Sequence, residues 1–536
     1  MSQELARNFQ ALKDKGDPPP YFLGYEITQE DVYEVSGTLG TIDSSGGGKS
    51  RTLDVSVRVG SPKLDNYHRV RGAGGGAPRF TSGARITYED NANSIKHSLW
   101  EETDRAYRAA AERLIRIQTN TQVKVAEQDS SADFSSAPPQ VSISAPVKLK
   151  FDVSDWTDRI RRLSARFQNY PGVLTSRVTV SGQAETRYLV NTEGTRLEFG
   201  RGYARIFISA SAKAADGADA ADFDSFEAEE PDNLPDDKTV LAAIDRVAQN
   251  VTALLSAPEA EPFVGPAILS GRAAGVFFHE IFGHRVEGHR QKDEEEGQTF
   301  TKSVGSGVLP DFLSVIFDPT RHAIAGDDLY GWYDYDDEGV KARPVTVVEN
   351  GVLKTFLMSR SPIAGFGESN GHGRRQPGYE VVSRQSNLIV ESAKAVSGAR
   401  LREMLIDEIK RQNKPYGLYF RDITNGFTTT SRAGLQAFSV VPVIVYKVYA
   451  DGRPDELVRG ADIVGTPLAS FAKILATGDK AEVFNGYCGA ESGSVPVSAV
   501  SPAILVSEIE IEKKAKGNDR PPLLSEPAAL EKGAGR

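Results

Sequence analysis

Apolar side chains recur along this chain with two periods, helical in some stretches and alternating in others. Leu5, Phe9 and Leu12 fall at helical spacing, so residues 3–14 read as a short helix that stops at the three prolines 18–20. A strand is expected at 21–35, then a Ser/Gly turn at 44–48. Leu53, Val55, Val57 and Val59 alternate as a strand with one buried face. Residues 72–76 are glycine-rich and read as a flexible loop. Ile95, Leu99, Tyr107, Leu114 and Ile117 line one side of a long helix at 94–117. The Ser/Ala/Pro-rich 128–139 stretch reads as an exposed connection. Ser154 or Asp155 is expected to cap a helix running to about 167. Strands follow at 173–180, 186–190 and 204–210, with a turn at 191–195. The acidic 216–237 run reads as a solvated loop rather than a cation site, and 239–255 as a helix.

The prolines at 258–266 mark a boundary, after which alternation dominates. Strands are expected at 313–317, 345–348 and 353–358, the last two joined by a Glu349-Asn350-Gly351 hairpin signal. A further strand at 440–449 closes on Ala450-Asp451-Gly452-Arg453, with helices at 399–411 and 467–476. Strands at 495–500 and 504–511 complete the folded part. The pattern predicts an α+β protein with a mixed α/β N-terminal half and a β-rich C-terminal half. The expected units are 1–258, 259–512 and a loose tail at 513–536.

At 536 residues the chain can hold more than one core, and its formal charge of −10 disfavours nucleic acid as the main partner. The apolar runs are too short for a membrane span. Charges run through residues 1–20, unlike a secretory signal, so a cytoplasmic location is expected. The single cysteine, Cys488, excludes an intramolecular disulfide.

The densest chemistry is His279-Glu280-Ile281-Phe282-Gly283-His284, directly after the apolar run Ala273-Ala274-Gly275-Val276-Phe277-Phe278. Neutral imidazole ligates zinc, and a neighbouring glutamate can serve as a base. The five-residue spacing is unusual, because on a regular helix it puts the two histidines about 140° apart. They can share an ion only if the helix bulges or ends near Gly283. A third ligand could be His289 or the distant Cys488, between which spacing does not choose. Asp334-Tyr335-Asp336-Asp337-Glu338-Gly339 reads as a charged turn before a cation site. Gly371-His372-Gly373-Arg374-Arg375 reads as either an anion-holding loop or a mobile, solvated one.

Several segments together resemble the TldD/PmbA family of zinc metallopeptidases, on the TldD side that keeps its metal motif. They are Leu269-Ser270-Gly271, the run from His279 to Gly288, Tyr335-Asp336-Asp337-Glu338-Gly339 and Asn350-Gly351-Val352-Leu353. Arg384-Gln385-Ser386-Asn387 and Cys488-Gly489 followed by Ser494-Val495-Pro496-Val497 complete the set. The resemblance covers most of 260–512 and fits the first half only loosely. It implies Zn2+ held by His279, His284 and Cys488, with Glu280 as general base, and it favours Cys488 over His289. It also implies a homodimer, or a heterodimer with a motif-lacking family member, enclosing a cavity that admits unfolded peptides. Two rivals remain: a zinc-containing scaffold subunit presenting peptides to a partner, and a zinc hydrolase of a non-peptide amide.

Overall fold

The computed structural model describes residues 1–69, 81, 83–121, 129–432, 438–465, 470–514 and 522, so the expected 72–76 loop and most of the expected tail lie outside the described residues. One sheet, antiparallel except for the short Val141–Ile143 strand, draws on residues 20–228. Its central strands run in the order Thr41–Ser61, Pro20–Thr38, Thr175–Asn191, Arg196–Lys213, with Asp219–Ala228 on the last. Helices Ser2–Lys15 and Ala92–Thr121 cover one part of it, burying Leu5, Leu99 and Leu114 against Leu23, Val55 and Val57. Helices Val153–Ser164 and Asp237–Ser256 cover another, where Ile160, Val240 and Ile244 meet Val178, Ile206 and Ile208.

Five expectations for this half need correction. The 44–48 run is not a turn but part of the Thr41–Ser61 strand, paired with 32–36 of its neighbour. The turn is Leu39-Gly40, both with positive φ (48° and 82°), as a two-residue hairpin of this hand requires. Gly47 serves packing instead: a Cβ there would lie 2.4 Å from the Tyr33 ring. Second, the acidic 216–237 run contains the Asp219–Ala228 strand. Its inward carboxylates find donors on the next helix, with Asn250 Nδ2 donating to Asp222 at 2.6 Å and Arg246 pairing with Asp224. Third, the described part of the 128–139 connection is not simply exposed. Phe134 is buried beside Phe22 (5.0 Å between rings), and Asp133 meets His68 at 2.8 Å. Fourth, Asp152 caps the third helix, its carboxylate accepting from Asp155 N at 3.0 Å. Fifth, the strands expected at 173–180 and 186–190 are one, Thr175–Asn191, and the 191–195 turn stands where expected.

The second sheet is assembled around the long strand Gly493–Lys513. This strand pairs with Ile474–Ala490, Asn387–Ser392, Ala461–Gly465 and Phe263–Leu269 at successive positions. Phe263–Leu269 also pairs with Gly417–Thr428, which pairs with Phe438–Val448 and so back to Ala461–Gly465. The hydrogen-bonded path therefore closes into a ring. The expected 313–317 and 345–348 strands and the 399–411 helix are present, and Asn350 and Gly351 turn with positive φ. At 353–358 only Val352–Leu353 is strand. The described part of the expected 467–476 helix is mostly not helical, since Ile474–Ala490 is already strand. The 495–500 and 504–511 strands are one. Among the described residues no helix is long and apolar enough to cross a membrane.

Candidate metal centre

The helix Gly271–Ile281 is apolar nearly all round, as a helix enclosed by strands must be. Ser270 caps it, accepting from Ala273 N at 3.1 Å. Gly275 lets its backbone sit on Ala499, whose carbonyl oxygen a Cβ would meet at 2.8 Å. The helix ends at Phe282, and a tighter 3₁₀ turn, Gly283–Val286, follows. That change of winding removes the five-residue spacing problem, because His284 no longer continues the helix that carries His279. Arg285 turns back to donate to the carbonyls of Glu280 (3.1 Å) and Ile281 (3.0 Å), groups that a helix end leaves free. Gly283 is demanded by a close approach: a Cβ there would lie 1.9 Å from Gln385 Oε1. The Gln385 amide in turn donates to His279 O at 3.2 Å.

Cys488 comes from the strand Ile474–Ala490, just before its hairpin with Gly493–Lys513. Its Sγ lies 3.2 Å from His279 Nε2 and 3.3 Å from His284 Nε2. The three potential ligand atoms all fall within 4.8 Å of one another, and all three residues are buried. A tetrahedral zinc with bonds of about 2.1 Å to nitrogen and 2.3 Å to sulfur holds such atoms about 3.6 Å apart, close to the spacing here. Burial alone pushes the Cys488 thiol up, but His284, Arg384 and His279 outweigh it and hold it well below its usual range. The thiolate is the form of cysteine that ligates a metal ion. The donor set and its spacing therefore suit a borderline-soft divalent ion. His289 is not part of the set: its Nε2 pairs with Glu491.

Glu280 lies against Gly426, where a Cβ would meet its Cγ at 2.3 Å. It lines, with His279, His284 and Cys488, a cleft of about 770 Å³ between the two sheets. Arg205, Phe207 and Phe223 form the opposite wall. Phe427 and Tyr487, 69% and 53% exposed, stand on the near side.

Two models of one family match the chain: the PmbA/TldA metallopeptidase C-terminal domain over residues 264–513 and the central domain over 146–255. The chain belongs to the TldD/PmbA family. A metalloprotease of Methanocaldococcus jannaschii is 31% identical over 43% of this chain and 47% of its own length. A zinc metalloprotease TldD homolog of Saccharolobus solfataricus is 26% identical over 48% and 53%. The chain thus spans about half the length of these curated relatives. The crystal structure of TldE from Thermococcus kodakarensis superposes with a TM-score of 0.64 at 14% identity, over 94% of this chain and 100% of that one, which establishes the TldD/PmbA fold.

Sequence reasoning assigned no role to the groups behind the three ligand candidates. Glu287 sits 3.3 Å from His284 Nδ1 and accepts from Arg290 Nε at 2.8 Å. His284 and Arg290 outweigh burial and hold its carboxyl at about 2. Arg384 reaches Cys488 Sγ at 3.1 Å. The spacing of Glu287 three residues after His284 was the available signal; nothing local pointed to Arg384.

Proposed function

We propose that this protein is a zinc-dependent peptidase hydrolysing unfolded peptides or protein segments, with His279, His284 and Cys488 as ligands and Glu280 as general base. The observation that carries this reading is the meeting of two imidazole nitrogens and one sulfur on the wall of a large cleft that Glu280 also lines. Three protein ligands are the number that catalytic zinc sites use, whereas structural sites are closed by four. Zinc in such a set supplies Lewis acidity, polarising a carbonyl and lowering the pKa of a coordinated water to roughly 7. Glu280 accepts a proton from water and returns it to the leaving amine nitrogen. Gly426 leaves room for its side chain, and Gln385 braces the helix end through His279 O. A dimer, either homodimeric or with a motif-lacking family member, encloses the cleft in this reading. A scaffold with structural zinc has no use for a base beside the first ligand or for access from a cleft.

The test combines metal analysis with cleavage of a casein-like unfolded substrate. Wild type is expected to hold near one zinc per chain, and Cys488→Ser to lose it. Glu280→Ala is expected to keep zinc while kcat falls by roughly 10²- to 10⁴-fold, the usual scale of general-base loss. Unchanged cleavage by Glu280→Ala would remove the base, and absence of zinc from wild type would remove the reading altogether.

A further inference from the structure

Arg384 is fully buried, and its guanidinium is spent on one small region. Nη2 donates to Cys488 O at 2.6 Å and to Cys488 Sγ at 3.1 Å. Nη1 donates to Ser492 Oγ at 2.7 Å and to Gly493 O at 3.1 Å. The planar fork therefore plugs the turn end of the hairpin that carries the cysteine and fixes backbone and sulfur together. Its remaining donor, Nε, faces Glu287 Oε1 at 3.5 Å as an ion pair, and neither atom makes a hydrogen bond among the described residues. Glu287, also fully buried, is the group that meets His284 Nδ1. An Nδ1–H directed at a carboxylate leaves Nε2 as the lone-pair nitrogen, and Nε2 is the atom that points at Cys488.

We infer that Arg384 and Glu287 act as one positioning unit that sets the separation of His284 from Cys488 and thereby the affinity of the metal site. The inference rests on the metal reading above and goes beyond it. His284 stands on a 3₁₀ turn and Cys488 on a hairpin 204 residues later, and this ion pair is a direct side-chain bridge between them. Arg290 steadies the same carboxylate, and Glu491 at the hairpin turn accepts from Arg290 Nη2 at 2.8 Å. Mutating partners of this kind costs about 10- to 100-fold in metal affinity in well-studied sites. A merely structural Arg384, satisfying the two hairpin carbonyls, would leave the affinity of the folded protein alone.

The experiment measures zinc affinity of the full-length protein by competition with a chromophoric chelator, and records the thiolate-to-cobalt charge-transfer band after loading with Co2+. Glu287→Gln and Arg384→Lys are expected to weaken zinc binding about 10- to 100-fold and to shift or weaken the cobalt band. Ser492→Ala keeps Arg384 but removes one anchor; a smaller loss, on the order of three-fold, is expected from one neutral hydrogen bond. Should Arg384→Lys fail to fold, Ser492→Ala and Glu287→Gln decide. Zinc affinity within two-fold of wild type and an unchanged cobalt band in the folded variants would overturn the positioning role while leaving the metal site standing. Wild type that binds no zinc would overturn both.

Discussion

Two of the buried charge clusters among the described residues differ in one respect: only one of them faces a cleft of functional size. Between the sheets, Arg375 Nη2 holds Glu26 at 2.7 Å, Arg187 reaches Glu26 at 3.1 Å and Glu185 at 3.0 Å, and Arg187 also pairs with Asp337. Asp336 accepts from the backbone N–H groups of Glu338, Val340 and Gly373. Each of these arginines has a carboxylate partner, Asp336 is held by backbone donors, and the adjoining spaces are small, about 30 and 50 Å³. Around Cys488, by contrast, two imidazole nitrogens and one sulfur, all potential metal ligands, converge beside a cleft of about 770 Å³. Burial and perturbed acid–base chemistry occur in both places. Convergence of potential ligands at an accessible point separates a site from a fastening.

The sharpest way to break that contrast is to remove one charge from the fastening. Glu26→Ala takes from Arg375 its closest carboxylate, while Arg187 keeps Glu185 and Asp337, and breaking a buried ion pair typically costs about 3–5 kcal/mol. Urea unfolding should show that loss, while zinc content of the folded fraction stays at the wild-type value. Zinc loss at unchanged stability would mean that the two clusters are not separate in function.

A smaller effect is expected from Gly426→Ala. Its Cβ would overlap Glu280 Cγ, so the carboxylate must move while the three ligand candidates stay. A misplacement of about 1 Å can cost on the order of 10²-fold in rate. The expected result is a fall in kcat on that scale with zinc retained, read by activity and metal analysis of one preparation. Full activity would detach Glu280 from the chemistry.

Much of this was legible from local pattern. The histidine pair, Glu280 and the need for a helix end near Gly283 could all be read off, because a 3.6-residue period makes a five-residue spacing conspicuous. What stayed hidden depends on partners far along the chain. The acidic 216–237 run looked solvated because Arg246 and Asn250, which pair with Asp224 and Asp222, lie on the next helix. Gly371-His372-Gly373-Arg374-Arg375 looked like a mobile or anion-binding loop. It is neither: Arg374 donates to Gln385 O and Pro496 O at 2.6 and 2.8 Å, and Arg375 holds Glu26. Asp334 to Gly339 is a turn, as expected; Asp334 is exposed, but Asp336, Asp337 and Glu338 are fastened rather than solvated. Arg384 stood in a segment that carries the resemblance, but its role could not be read, because its acceptors Cys488, Ser492 and Gly493 come more than a hundred residues later.

Two histidines carry the same contrast in the opposite sense, and they set the smallest of the expected effects. His284 faces Cys488 and Glu287, which outweigh burial and hold its pKa well above the ordinary value. His372 is equally buried, but its neighbours are Ser386 Oγ at 3.1 Å and Asn370, with no carboxylate bonded to it among the described residues. Burial therefore pushes it down to about 3. A base depressed on folding binds its proton more weakly in the native state than in the unfolded chain. Its contribution to stability is complete above the unfolded value of about 6.5 and is lost as pH falls towards 3. Within that window His372 should add up to about 1.4 kcal/mol per pH unit to the slope of unfolding free energy. Denaturant unfolding of wild type and His372→Gln at pH 7, 6 and 5 reads the difference: the variant starts lower, and the gap narrows as acid is added. Parallel curves would mean that His372 is protonated in the native state and that some acceptor of charge reaches it after all.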